Sequence, residues 1–319
     1  MIRNILVPLD GSDFGEQALD WATLVAKRAG ARVHLVHVRE PLIVADPLFQ
    51  QTLVDVETQE EAQEYLDALL HRLADPEIRS ATRTAVLEGA VGESLRQYAL
   101  SHHIDLVVMT THGRGPWAKF WEGSIAETLV RTLPASILLI RANEQVGGSE
   151  RFGRKSGFRH ILMPTPTETP PLDQSGAAWE IARLFGSRVT MLHVRPSGSQ
   201  EMAAASIGQP TTSAGVPPHR SEPGETPDDS RIQLGERPSE PSVAVDRHVV
   251  EHDVPAEAIL AEAHRLGCDL IAMETRCRTG LSRLVKGSTA DWIVRHASAP
   301  VLLHCARSHG EKQAGAASG

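Results

Sequence analysis

Five residues in the first half of the chain lie at the ends of two apolar runs and on a glycine-flanked loop, where they could form a binding site. Asp10 follows one apolar run, Thr110 ends another, and nine residues separate Gly113 from the pair Gly123 and Ser124. A glycine-flanked loop that leads into a helix presents backbone N–H groups and the positive end of the helix dipole. Glycine also lets the backbone approach phosphate oxygens without a Cβ in the way. The spacing therefore predicts phosphate binding at this loop.

Two better-known phosphate loops are absent, and each residue also has a plainer interpretation. Gly-Lys-Ser/Thr does not occur, and no Gly-x-Gly-x-x-Gly follows the first strand. Ser124 with Glu127 forms a Ser-x-x-Glu capping box, Asp10 suits a turn or an N-cap, and Gly113 suits a turn. Capping and phosphate contact are compatible for Ser124, so both interpretations stay open.

The elements that must position these residues alternate between strand and helix. In the first half, apolar runs of strand length lie at 2–7, 32–38, 82–87, 104–110 and 136–140, and helical patterns lie at 14–28, 56–73, 92–101 and 124–132. Val, Ile and Leu on both faces of these runs are typical of buried parallel strands. Alternation with short connections indicates an α/β fold with a parallel sheet covered on both faces.

The whole pattern occurs twice in the chain of 319 residues. Three segments of the first half return in the second: 4–10 as 160–166, 32–38 as 188–194, and 123–131 as 287–295. A repeat of this length is a whole domain rather than a solenoid unit. We therefore predict two tandem doubly wound parallel five-stranded sheets, each with the strand order 3-2-1-4-5. Ligands bind such sheets outside the carboxyl ends of the strands where the order reverses, so Asp10 and Thr110 should meet in one crevice.

Composition sets the domain boundaries. We assign residues 1–142 to the first domain, 143–157 to a linker, 158–307 to the second domain and 308–319 to a flexible tail. Within the second domain, 196–242 holds eight prolines amid Gly, Ser, Thr and Glu, where the first copy has its second helix. Such a segment cannot bury enough apolar surface to offset the entropy of ordering, so we expect a disordered insert.

Charge and residue usage narrow the functional class. The net charge of −8 argues against nucleic acid and anionic membranes as partners, and no apolar run approaches the length of a membrane span. With a strand pattern starting at Ile2, we expect no signal peptide and a cytoplasmic location. No CxxC pair occurs. His34 and His37 are three apart on a strand and should face opposite sides, so we predict no metal site.

These residues together resemble the universal stress protein family in its tandem, two-domain form. The family motif is Gly-x2-Gly-x9-Gly-Ser/Thr, with an Asp after the first strand and His-Val at the end of the second. The resemblance covers essentially the whole chain and implies the family fold, which is the adenine nucleotide alpha hydrolase-like fold. Thr110 stands at the first motif glycine, so one glycine of three is missing.

Resemblance to ATP-binding members implies a role for each of seven residues. Asp10 would contact the adenosine part, Val38 would give backbone hydrogen bonds to adenine, and Gly89 would lie close to the same pocket. Thr110 would occupy the first motif position. The phosphates would be held by Gly113, Gly123 and Ser124. One ATP per chain, possibly with Mg²⁺, is the expected cofactor.

The second copy departs from the motif at the corresponding positions. Pro166 replaces Asp10, Asp253 replaces Gly89, Glu274 falls at the first motif glycine and Cys277 at the second, while Gly287 and Ser288 remain. A carboxylate a few ångströms from polyphosphate repels it by about 1 kcal/mol or more. We predict that the second copy binds no ATP.

Three functional hypotheses remain open at this stage. The leading one is a stress-response or signalling protein that binds an adenine nucleotide in its first domain and contacts a protein of unknown identity. The second is a nucleotide-free interaction module of the same fold. The third is a slow ATP hydrolase, for which His112 and Glu122 are the nearby candidates, although neither has a spacing that marks it as catalytic. Strand pairing between 136–140 and 300–304 could make the chain an intramolecular pseudo-dimer, and homodimerisation stays possible.

Overall fold

The protein is described from a computed structural model in which residues 1–40, 42–44, 52–54, 57–110, 129, 133, 135–141, 157–170, 174–197, 243–275 and 289–305 are placed. Several predictions fall outside these ranges: the loop residues Gly113, Gly123 and Ser124, the candidates His112 and Glu122, almost all of the helix 124–132, nearly all of the linker and of the insert, and the tail.

The strands are short and the helices are of ordinary length. The strands are β1 (Asn4–Leu9), β2 (Arg32–Arg39), β3 (Leu42–Val44), β4 (Thr52–Val54), β5 (Arg83–Glu88), β6 (Leu106–Thr110), β7 (Ser136–Ile140), β8 (His160–Thr165), β9 (Arg188–Arg195), β10 (Val245–Glu251), β11 (Leu270–Thr275) and β12 (Val301–Cys305). The helices are α1 (Asp13–Ala29), α2 (Gln59–Arg72), α3 (Pro76–Ala81), α4 (Val91–Ser101), α5 (Ala177–Phe185), α6 (Pro255–Arg265) and α7 (Thr289–His296).

Ten of these strands form one continuous sheet. Its order is β10-β9-β8-β11-β12-β7-β6-β1-β2-β5. Read from β5 to β7, the first copy has the order 3-2-1-4-5 with parallel neighbours, as predicted, and the second copy repeats it. The two halves join where β7 and β12 pair antiparallel, with Leu138 opposite Leu302. The two five-stranded sheets expected from the sequence are therefore two halves of a single sheet.

Local sequence signals set the ends of the helices. Ser12 caps α1, where its Oγ accepts the Gly15 backbone N–H at 3.1 Å, and Gly30 ends the helix in the left-handed conformation. Thr58 and Glu61 form a complete capping box at the start of α2. The observed ends of α1 and α2 lie within three residues of the bounds expected from the sequence, because these capping residues could be recognised there.

Helices cover the sheet on both faces, and each face has a core that continues from one copy into the other. On one face α1 and α2 pack with α5, and the Trp21 ring of α1 stacks on Phe158 of the second copy with centroids 5.1 Å apart. The Arg28 guanidinium lies 5.1 Å from the Phe185 ring centroid and donates to the Leu184 carbonyl at 3.3 Å. On the other face α4, α6 and α7 cover the sheet. The copies thus share a sheet and a core.

Two features were missed in the sequence. Asp75 and Pro76 start the short helix α3, with the Asp75 carboxylate accepting from the backbone at Glu77 and Ile78. β3 and β4 form a small antiparallel hairpin before α2. Three-residue strands give too little periodicity to be identified, whereas the Asp-Pro pair was a visible helix-start signal.

Candidate functional site

The carboxyl ends of four neighbouring strands bring four of the seven predicted site residues to one edge of the sheet. Asp10 follows β1, Thr110 ends β6, Val38 is the next-to-last residue of β2, and Gly89 follows β5. β1 lies between β2 and β6, and this is the point where the strand order reverses. The remaining three, Gly113, Gly123 and Ser124, lie outside the described residues.

The strand register fixes how these residues stand relative to one another. β1 sets Leu9 level with His37, so Val38 extends past the end of β1. The β1–β6 register, continued to the ends of both strands, sets Thr110 level with Leu9 as well. Asp10 is the next residue. Asp10 therefore lies at the switch point between the ends of β2 and β6, with Val38 on one side and Thr110 on the other.

Asp10 is held in a tight turn at the start of α1. Its Oδ1 accepts hydrogen bonds from the Ser12 backbone N–H at 3.0 Å and from the Ser12 hydroxyl at 2.6 Å. A Cβ at Gly15 would stand 2.5 Å from this oxygen, so a larger residue there would displace the Asp10 carboxylate. The turn role considered for Asp10 is confirmed, while the N-cap is Ser12. Within the described part of the chain Oδ2 has no hydrogen-bond donor, so this oxygen can accept one from a ligand.

A buried histidine that the sequence analysis did not assign supports this edge. His37 Nδ1 lies 2.9 Å from the Leu9 carbonyl oxygen, and its Nε2 lies 2.8 Å from Glu57 Oε2. Arg39 Nε donates to the Glu57 carbonyl oxygen at 2.9 Å. These contacts fasten the end of β1 and the segment before α2 to β2. His-Val at the end of β2 was a visible signal for His37, but nothing in the spacing of Glu57 indicated its role.

Gly89 is needed for the conformation of its own turn. Its φ of +119° is one that side chains rarely adopt, and its N–H donates to the Arg39 carbonyl oxygen at 3.0 Å. Just beyond it, the Val91 N–H at the start of α4 donates to Glu40 Oε1 at 3.1 Å. The N-terminus of α4 is thus already paired with a carboxylate.

The electrostatics of the described edge favour a neutral group over a phosphate. Three acids, Asp10, Glu40 and Glu57, lie at this edge together with one described cation, Arg39. Nearby, burial raises the pKa of the Tyr65 hydroxyl, and the charges of Glu16 and Asp10 raise it further. Acids here repel phosphate but accept hydrogen bonds from sugar hydroxyls.

The second copy presents a different surface at the same edge. Pro166, Asp253 and Glu274 are all exposed where the first copy has Asp10, Gly89 and Thr110. Asp253 Oδ1 accepts the Ser197 N–H at 3.1 Å, so its carboxylate contacts the segment that follows β9. A proline has no side-chain acceptor for a sugar hydroxyl. This edge therefore differs from that of the first copy at the positions of Asp10, Gly89 and Thr110.

Two further searches concern only the described ranges. No group of three or more His, Cys, Asp or Glu side chains there is arranged to hold a metal ion. None of the helices in those ranges is both long and apolar enough to cross a membrane.

The fold defines a tandem α/β protein, with a candidate site at the switch point of its first half. The family model described as the universal stress protein family matches residues 1–141 and again 157–304. The chain belongs to this family and contains its domain twice.

Curated relatives match one domain's length of the chain. A universal stress protein of Thermus aquaticus is 31% identical over 143 residues, which cover 44% of this chain and 100% of the relative. A relative from Staphylococcus aureus (strain USA300), described as a universal stress protein, is 28% identical over 146 residues, which cover 44% of this chain and 86% of the relative.

Solved structures match the full length. A universal stress protein from Archaeoglobus fulgidus DSM 4304 covers 97% of both chains with a TM-score of 0.58 at 17% identity. One from Pseudomonas aeruginosa UCBPP-PA14 covers 95% of this chain and 93% of its own, with a TM-score of 0.56 at 16% identity. At these identities the likeness concerns the fold.

Proposed function

We propose that the first copy binds one adenine nucleotide per chain, with ATP as the favoured ligand, and that the protein acts in the cytoplasm in stress response or signalling. The observation that carries this proposal is the convergence of Asp10, Val38, Gly89 and Thr110 at the edge where the strand order reverses. The second copy keeps a valine, Val194, at the position of Val38, but it has Pro166, Asp253 and Glu274 at the other three positions.

The charges divide the ligand between two parts of the crevice. The described edge carries acids, so it suits the adenosine part, with the free Asp10 Oδ2 accepting from a ribose hydroxyl. Val38 extends beyond β1, which leaves that side of β2 open to the edge of adenine. The phosphates, with Mg²⁺ where it accompanies them, would then lie on the loop of Gly113, Gly123 and Ser124.

In this proposal the second copy is a structural partner. It binds no ATP, and its β12 pairs with β7 in place of a second subunit. A nucleotide-dependent change in the first copy could then reach a protein partner only if the two states differ in affinity for the nucleotide.

The test is a calorimetric titration of ATP with Mg²⁺ into the full-length protein and two variants at Asp10. Asp10→Ala removes the acceptor for the ribose and weakens binding by roughly tenfold or more, because hydrogen bonds to charged groups contribute about 1.5–3 kcal/mol. Asp10→Asn keeps an oxygen for the Ser12 turn and weakens binding less. We expect about one nucleotide per chain in the unmodified protein.

The matched control is Pro166→Ala, which changes the corresponding position of the second copy. It should leave affinity and stoichiometry unchanged. A stoichiometry of two would contradict the assignment of the second copy, and absence of heat at high micromolar protein would favour the nucleotide-free interaction module.

A further inference from the structure

A cluster of basic side chains lies at the edge of the sheet opposite the candidate nucleotide site. Arg32 begins β2, Arg83 begins β5, and His102 directly follows α4. His34 and Arg83 are register partners in the parallel pair β2–β5, and Arg32 is two residues before His34. The side chains of Arg32, His34 and Arg83 therefore point to the same face of the sheet. That is the face on which Tyr98 of α4 packs, with its hydroxyl 3.0 Å from His34 Nδ1.

The positive charge of this cluster is not balanced by acids. Within the described ranges neither Arg32 nor Arg83 has an ion-pair partner, and both are exposed. Burial, together with the charges of His102, Arg83 and Arg32, lowers the pKa of His34 to about 4. Although the chain has a net charge of −8, the charges of Arg32, Arg83 and His102 make the surroundings of His34 positive.

In the second copy, the positive charge at the corresponding position is neutralised by an acid. Arg188 corresponds to Arg32, but Asp246 stands where Arg83 stands, and Arg188 Nε lies 3.5 Å from Asp246 Oδ2. His102 is replaced by Leu266. The repeat thus provides an internal comparison. Arg188 and Asp246 form an ion pair in the second copy, whereas Arg32 and Arg83 at the same positions of the first copy carry like charges.

His34 adds a buried polar atom that lacks a partner. Its side chain is 2% exposed, and its Nε2 has no hydrogen-bond partner among the described residues. The His34 ring lies 5.5 Å from that of His102, centroid to centroid, in an edge-to-face arrangement. If Tyr98 donates to Nδ1, the neutral ring carries its proton on Nε2. A buried donor without an acceptor is costly, by about 1–3 kcal/mol.

We propose that Arg32, Arg83 and His102 bind a phosphate dianion, either inorganic phosphate or the phosphate of a small monoester, with His34 beneath them. Guanidinium groups match the geometry of phosphate oxygens and form charge-assisted hydrogen bonds with them. The anion neutralises the like charges of the arginines and brings an acceptor close to His34 Nε2. This site lies at the amino ends of the strands and does not depend on nucleotide binding at the carboxyl ends.

The experiment follows the imidazole NMR signals of the full-length protein during titration with inorganic phosphate. We expect saturable shifts of the His34 and His102 signals, and no saturable shift with sodium chloride at equal ionic strength. Glycerol 3-phosphate in a parallel titration shows whether a monoester is preferred over free phosphate. Because the signals report on this cluster, phosphate bound near Asp10 would not produce the response.

The variant Arg83→Asp introduces the acid that the second copy carries, and it should weaken the response at least tenfold. Arg247→Asp changes an exposed arginine on β10 by the same charge and should leave it unchanged. If Arg83→Asp does not fold, the milder variant Arg83→Gln takes its place, and it should also weaken the response. The proposal would be overturned if an Arg83 variant responded to phosphate as strongly as Arg247→Asp does. It would also be overturned if chloride shifted the histidine signals as much as phosphate does.

Discussion

His34 and His37 lie three residues apart on β2 and serve opposite faces of the sheet. The His34 ring contacts Tyr98 of α4, whereas the His37 ring lies 6.0 Å from that of Tyr65 of α2. The alternation of a strand predicted this separation, and it is confirmed. What the alternation could not give is the environment of each ring, because that depends on helices whose packing is decided by the whole fold.

The lowered pKa of His34 predicts a dependence of stability on pH. Its ordinary pKa of 6.5 in the unfolded chain falls to about 4 in the folded protein. As pH falls from 6.5 towards 4, the unfolded state takes up a proton that the folded state does not, so stability is lost over that window. We expect His34 to account for a loss of about 1–3 kcal/mol in urea unfolding measured at pH 7 and pH 4.5.

The variant His34→Thr, which introduces the residue of the second copy, isolates this contribution. Its stability should fall less than that of the unmodified protein between the two pH values. His71→Gln, at an exposed histidine of α2, is the control and should keep the full pH dependence. Parallel pH profiles for the unmodified protein and His34→Thr would show that His34 is not the group responsible.

At the scale of elements, the apolar runs located the five strands of the first copy, and the repeated segments located β8 and β9, because buried parallel strands are rich in apolar residues. The sequence also predicted the site edge, since topology alone sends Asp10 and Thr110 to the same crevice. The sequence could not decide whether Asp10 forms a turn or contacts a ligand, because the two roles are compatible. The turn uses Oδ1 of the carboxylate and leaves Oδ2 available to a ligand. Nor could the sequence find Glu57, whose contact with His37 depends on the path of the segment before α2.

The contact between α5 and the start of the second copy depends on a glycine. Gly157 has a φ of +75°, and a Cβ there would collide with the ring of Phe185 at the end of α5. We expect Gly157→Ala to lower the free energy of unfolding by about 2–4 kcal/mol, since left-handed strain and overpacking act together. Chemical denaturation measures this change directly.

Gly267→Ala is the matched control for that prediction. Gly267 has a φ of +63°, and nothing lies within 4 Å of an added Cβ. Its variant carries the backbone strain alone and should lose about 1–2 kcal/mol. If both variants lost the same amount, the Phe185 ring would have moved aside, and the packing of α5 against this segment would be less constrained than the distances indicate.

At the scale of the molecule, the two copies share one continuous sheet and the cores on both of its faces. β7 pairs with β12, and Trp21 of the first copy stacks on Phe158 of the second. Unfolding one copy would expose the edge strand and the apolar surface of the other. We therefore expect thermal unfolding of the full chain to be a single transition, although two domains of this size could each fold alone.

Leu192→Ala tests this coupling from a position far from the junction. Leu192 is fully buried on β9, and its truncation should cost about 2–5 kcal/mol. In one cooperative unit, the most protected amides of β2 lose the same protection as those of β9 when hydrogen exchange is followed by mass spectrometry. Loss confined to β9 would show that the copies open independently. Under the coupled outcome, ATP bound at Asp10 would also raise the protection of β9, because a ligand that binds only the folded unit stabilises all of it.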